Sequence, residues 1–183
     1  MNRARPWAAR GAALVVVASA SVVARADTLR FGPHDVTSLF VISKSENKNQ
    51  VVYAIHLDEN CAPVGDAPIF AYWRMYEKGP HVTEPLLSRE EGAYGVARQH
   101  VTIAGATGGT VDLTLRALPD RPIVIRTQRL NDTCRAWSKL PIGGVDAYLY
   151  NVHVKLGFLS VDYLLLSGWT LDGARVVTEK IQR

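Results

Sequence analysis

Apolar and polar residues alternate along most of the chain, and helical periodicity is scarce. Within residues 110–117, Val111, Leu113 and Leu115 share one face of a strand, while Thr110, Asp112, Thr114 and Arg116 share the other. Val51, Tyr53, Ile55 and Leu57 repeat the pattern, opposite Gln50, His56 and Asp58. The same two-residue period predicts strands over residues 39–43, 69–76, 95–103, 123–130, 134–140, 147–156, 161–167 and 175–181. The stretches between them carry turn chemistry. Residues 60–68 hold Gly65, Asp66 and two prolines, residues 104–109 read AGATGG, and residues 118–122 are expected to bend tightly. Asn131-Asp132 and Asp172-Gly173 suit short turns, the second a two-residue hairpin. One segment departs from alternation. Thr83 can cap a short helix over residues 86–91, with Pro85 near its start and Gly92 as its stop.

Loops this short imply antiparallel neighbours, because a parallel crossover needs a dozen or more residues. About ten strands cannot lie in one flat sheet wetted on both faces. The expected fold is all-β: an antiparallel β-barrel or β-sandwich of about ten strands with one short helix. The pattern does not choose between barrel and sandwich.

The first 26 residues stand apart. Arg3, Arg5 and Arg10 precede the uncharged stretch GAALVVVASASVVA, and Ala24-Arg25-Ala26 suits cleavage before Asp27. That is the layout of a signal peptide, and 14 residues fall short of the roughly 20 that span a bilayer. The expected product is residues 27–183, one all-β domain, periplasmic or secreted, with no transmembrane span after processing. The whole chain has 21 Lys+Arg against 17 Asp+Glu. Four of those arginines lie in the first 26 residues, which contain no acid, so the remainder is formally neutral. The basic balance therefore argues for no nucleic acid partner. An oxidising compartment makes a Cys61–Cys134 disulfide the default. It would close a loop of about 74 residues and contribute roughly 4 kcal/mol through chain entropy.

The polar run KSENKNQ, residues 44–50, admits two readings. Asn47 and Asn49 can turn the chain, through positive φ or Asx turns. Alternatively Lys44, Asn47 and Asn49 sit at a pocket rim as donors to an anionic or sugar-like ligand. On the strand IFAYWRMY, Phe70, Tyr72, Arg74 and Tyr76 share one face, and Ile69, Ala71, Trp73 and Met75 the other. Core packing explains both faces, but Arg74 among tyrosines also suits a ligand wall. His34, His56, His81, His100 and His153 lack metal-site spacing, and no cofactor is implied. No G-x-S-x-G, H-E-x-x-H or phosphate-loop motif occurs.

The chain resembles a bacterial family catalogued as domain of unknown function 4833. The resemblance rests on Ser45-Glu46-Asn47-Lys48-Asn49 with Val51 and Tyr53, and on Pro68 followed by Tyr72-Trp73. It continues through Arg89, Ala93-Tyr94-Gly95 and Val161-Asp162-Tyr163. It implies an exported bacterial protein of no known activity, and makes Asn47, Asn49, Tyr72, Trp73, Arg89 and Tyr94 the positions of first interest. Cys61 and Cys134 lie outside that pattern. The favoured role is a non-catalytic ligand-binding or envelope-associated domain, with a patch of Lys44, Asn47, Asn49, Tyr72, Arg74, Arg89 and Tyr94. Its partner would be a small molecule or an envelope component. The alternative is a periplasmic hydrolase of glycans or esters, pairing His56 or His100 with Asp58 or Asp112. A structural role within an envelope assembly would instead show an exposed apolar patch.

Overall fold

A computed structural model describes residues 35–103, 107–158 and 160–183. The signal segment, His34 and residues 104–106 of the AGATGG loop lie outside them. Eleven strands form one sheet: β1 (Asp35–Lys44), β2 (Gln50–Leu57), β3 (Ile69–Arg74), β4 (Thr83–Pro85), β5 (Val96–Ile103), β6 (Gly109–Leu115), β7 (Leu118–Leu130), β8 (Thr133–Ile142), β9 (Val145–Leu156), β10 (Val161–Thr170) and β11 (Val176–Gln182). One helix, α1 (Ser88–Tyr94), lies between β4 and β5. The sheet order is β4-β3-β2-β1-β9-β8-β7-β6-β5, and β10 joins the free edge of β9 and carries β11.

Every pairing is antiparallel except β1 with β9, which run parallel from Val41–Asn151 to Lys44–Val154. The expectation of purely antiparallel pairing is corrected at this seam. The β8–β9 hairpin turns at Gly143-Gly144, both at positive φ, and pairs only as far as Lys139–Tyr148. Beyond that point β9 runs on with an open edge, and β1 takes it. Tyr150 is the extra residue of a bulge there, since Ser167 faces Asn151 while Gly168 faces Leu149. Gly168 allows this approach: a Cβ would stand 2.6 Å from Ile142 Cδ1 and 2.8 Å from the Tyr148 carbonyl oxygen.

The sheet curls around one core drawn from β1, β2, β3 and β6 to β10. Val111, Leu113 and Leu115 are buried and Asp112 is exposed, as the alternation requires. On β2 the outer face is covered as well: Val52 and Ala54 are buried beside the stacked rings of His56, Phe70 and Tyr72. The curl brings β5 beside β3 without a backbone ladder, so the sheet is not closed into a barrel. A side chain bridges the seam instead. The Gln99 amide accepts from Ile69 N–H (2.9 Å) and donates to the Ile69 carbonyl (3.1 Å). Gln99→Ala would strip both partners from buried backbone, a loss of about 2 kcal/mol. Gln99→Glu keeps the acceptor but sets a carboxylate oxygen against the Ile69 carbonyl, so it should cost at least as much as alanine does. Urea unfolding of the two variants checks this ordering.

The segment after β3 differs from expectation. Thr83-Glu84-Pro85 does not open a helix; it pairs with Arg74, Trp73 and Tyr72. Edge position tolerates Pro85, whose missing N–H need not enter a ladder. The helix starts later, where the Glu90 carboxylate accepts the Leu87 N–H at 2.9 Å, and it runs through Gly92 to a cap at Gly95. The expected bend at residues 118–122 lies within β7, and the turn falls at Arg116-Ala117 instead. Asn131 and Asp132 both take positive φ in a two-residue turn. The loop around Asp172-Gly173 has five residues, 171–175, and closes on a Thr170–Arg175 backbone bond of 3.0 Å.

The 60–68 loop is tied down twice. The Asp58 carboxylate accepts the N–H groups of Asn60 and Ala62, both at 2.8 Å. Cys61, buried and at positive φ, forms the disulfide to Cys134 near the start of β8.

Candidate functional site

A cavity of about 400 Å³ opens at one end of the β1–β2–β3 sheet. The end of β1 supplies Lys44, and the β1–β2 loop supplies Asn47 and Asn49. The core face of β3 supplies Trp73, with Met75 just beyond the strand. Glu84 and Pro85 of β4, with Leu87 and Glu90 at the helix start, complete the wall. The late helix start and the short β4 thus place carboxylates and apolar groups opposite the polar loop.

The Lys44 ammonium lies 4.4 Å from the centre of the Trp73 ring and 5.4 Å from that of Tyr94. The two rings meet edge to face at 5.8 Å. Cation–π attraction holds the lysine there. Among the described residues, its three N–H donors have neither a hydrogen bond nor an ion pair. The Tyr53 hydroxyl donates to the Tyr94 carbonyl and anchors the helix end over β2. Burial acts to raise the Glu90 carboxyl. The Leu87 amide, a hydrogen bond from Trp73 and the charges of Lys44 and Arg89 outweigh it, so its pKa falls below the ordinary value. The Tyr94 phenol is pushed up, first by burial and then by the charges of Glu90 and Glu46.

The polar loop divides into holding and presenting groups. Asn47 Oδ1 accepts the Asn49 N–H at 3.1 Å, an Asx turn, but neither asparagine takes positive φ. Asn49 is buried, and both arms of its amide are used by Glu77: Nδ2 donates to the carboxylate at 3.1 Å, and Oδ1 accepts the backbone N–H at 3.2 Å. Ser45 Oγ accepts the Leu156 N–H at 3.2 Å. The Nδ2 of Asn47 makes no hydrogen bond among the described residues and, with Lys44, faces ligand space.

Of the seven residues expected to form a patch, Lys44, Asn47 and Asn49 line the cavity, and Tyr94 backs it through its contacts with Trp73 and Lys44. Tyr72 and Arg74 lie on the other face of β3, where Arg74 Nη1 donates to the Tyr76 hydroxyl at 3.4 Å. Arg89 is exposed on the helix and does not line the cavity. Four of the seven therefore gather at the cavity, and Tyr72, Arg74 and Arg89 lie away from it. Trp73 was legible from alternation, which places it opposite Tyr72, and it is the aromatic that lines the cavity. Glu90 carried no such signal, because its role depends on where the helix begins.

The other polar candidates lie apart. His100 and Asp112 are cross-strand neighbours, both exposed, in a depression shared with Arg98 and Thr114. His56 stacks on Phe70 at 4.5 Å, and Asp58 is engaged in its loop. Ser43 Oγ meets Asn151 Oδ1 at 3.0 Å and His153 Nδ1 at 3.2 Å on the outer face. Among the described residues, no group of three or more His, Cys, Asp or Glu could hold a metal, and no helix is long and apolar enough to cross a membrane. Tyr150 and Trp169 form an exposed aromatic pair on the outer face, 6.3 Å apart.

The sequence model of one protein family, described as a domain of unknown function (DUF4833), matches residues 40–180. No curated protein and no solved structure matches the chain.

Proposed function

The chain belongs to this family of unknown function, DUF4833, and we propose that it is a non-catalytic binding domain whose cavity takes a small molecule with an anionic oxygen group. The single observation that carries this is the Lys44 ammonium, held over Trp73 and Tyr94 with three unused donors beside the Asn47 amide. A carboxylate or similar oxyanion would supply the missing acceptors, and charge-assisted bonds are among the stronger ones. Trp73, Met75, Pro85 and Leu87 offer an apolar wall to the rest of the ligand. Glu90 accepts the Leu87 N–H and Glu84 pairs with Lys78, so both carboxylates that line the cavity are engaged within the protein. Export to the bacterial envelope fits the leader-like first 26 residues and the disulfide. Cell fractionation of the tagged full chain tests that part.

Calorimetric titration with a panel of small carboxylates, phosphates and sulfates tests the cavity. Lys44→Met keeps the apolar stem over Trp73 and removes the charge. It should weaken the bound compound about 10- to 100-fold, since hydrogen bonds to charged groups contribute roughly 1.5–3 kcal/mol. Arg89→Ala should leave affinity unchanged. Equal binding by wild type and Lys44→Met, or no binding by any anion in the panel, would overturn the reading.

A further inference from the structure

The β1–β2 loop separates two concave surfaces. The cavity lies on its core side. On the outer side an open groove of about 540 Å³ is lined by Ser43, Asn47, Lys48, Gln50, Tyr76 and Pro80. Asn47 lines both. Neighbouring residues feed opposite sides, because strand side chains alternate: Ser43 outward and Lys44 inward, with Gln50 outward beside the inward Asn49. Two further groups in the groove, the Lys48 ammonium and the Gln50 amide, have no hydrogen-bond partner among the described residues. Lys44 and Asn47 on the inner side, and Lys48 and Gln50 on the outer, therefore present unused donors on both sides of the loop. Outside, Tyr76 is 39% exposed and offers an aromatic surface, while within, Trp73 is nearly buried under the Lys44 ammonium and the accessible apolar wall is Pro85 and Leu87.

Resting on the cavity reading above, we infer that the ligand is an acidic oligosaccharide that crosses the β1–β2 loop and occupies both surfaces. The donors call for an acceptor-rich ligand, and two ammonium groups on opposite sides of Asn47 call for more than one negative charge. The exposed Tyr76 ring suits the apolar face of a sugar, which lies against Tyr as other flat apolar groups do, and Pro85 and Leu87 offer an apolar wall on the cavity side. The cavity and the groove open on opposite sides of the β1–β2 loop, so a ligand that fills both must pass across it. A single sugar ring can reach only one of the two surfaces, so affinity should grow with chain length until both are filled and then level off.

Titration calorimetry with galacturonic acid, its dimer and its tetramer tests this, with maltotetraose as the neutral control. The tetramer should bind at least tenfold more tightly than the monomer, and maltotetraose far more weakly. The double variant Gln50→Ala/Tyr76→Ala, on exposed or half-exposed positions, should bring tetramer affinity down to that of the monomer and leave monomer binding unchanged. Its unfolding midpoint confirms that it folds. Equal affinity of monomer and tetramer, or indifference of the tetramer to the double variant, overturns the crossing ligand and leaves the cavity reading standing. Failure of the whole galacturonate series, with simple anions still bound in a Lys44-dependent way, removes the acidic sugar alone. Failure of both sets removes the cavity reading with it.

Discussion

Trp73→Ala is expected to lower the unfolding free energy by about 3–5 kcal/mol, the range for truncating a buried aromatic. Trp73 is 6% exposed and joins three elements. Its ring meets Tyr94 of the helix edge to face and lies under the Lys44 ammonium. Its indole also helps to hold the Glu90 carboxyl below its ordinary pKa. Losing the ring opens a void between β3 and α1, and Lys44 loses its cation–π surface. For a chain of this size each kcal/mol moves the midpoint by roughly 2–4 °C, so the drop should be on the order of 10 °C. Trp73→Phe separates packing from polarity. It keeps a ring for Lys44 and Tyr94 and drops only the indole N–H, so it should cost about 1–2 kcal/mol. Urea unfolding of both variants makes the comparison. A cost below about 1 kcal/mol for alanine would show that the helix does not depend on this contact.

The second large effect concerns Cys61 and Cys134. Replacing both by serine removes a link between residues 73 apart in sequence. Chain entropy alone sets the loss near 4 kcal/mol. The mechanism leaves its own trace. The unlinked unfolded chain is more expanded, so the urea m-value should rise while the native far-ultraviolet spectrum stays unchanged. Reductant should lower the midpoint of the wild type and leave the double serine variant where it is. A wild-type midpoint that does not respond to complete reduction would mean that the loop is held by other contacts. The obvious ones are the two Asp58 bonds to Asn60 and Ala62.

Both effects bear on how much was legible in the residues. The two-residue period located ten of the eleven strands, because each turns one apolar side toward a common core: eight bury it, as Val111, Leu113 and Leu115 do, while β5 and β11 cover it only in part with Val96, Val101, Val177 and Ile181. The eleventh, β4, has no such signal. Its three residues are a ladder partner for the edge of β3 and show no apolar face of their own. Thr83 and Pro85 are good helix-opening residues in isolation, and the unpaired edge of β3 overrode them. The same competition moved the helix start to Leu87 and so created the wall of the cavity.

The site was half legible for a related reason. The polar run between β1 and β2 marked Lys44, Asn47 and Asn49, since seven polar side chains in a row interrupt two alternating strands. Which of these donors are already used was not readable. Asn49 turns out to be occupied by Glu77, 28 residues away, while the Lys44 ammonium rests over two aromatic rings with its N–H donors unused among the described residues. Tyr72 and Arg74 carried attractive chemistry, but register places them on the far side of β3 from Trp73.

What the amino-acid order determined by itself is local: which residues extend, which face of each strand is apolar, and where turns such as Asn131-Asp132 fall. These follow from side-chain sterics and from apolar spacing within a few residues. Tertiary structure alone decided the parallel β1–β9 seam, the Gln99 bridge in place of a closed barrel, and the meeting of Lys44 with Trp73, Tyr94 and Glu90. Each joins segments far apart in the chain. Each depends on which edge is left open after the nearer hairpins have paired, and no local pattern encodes that.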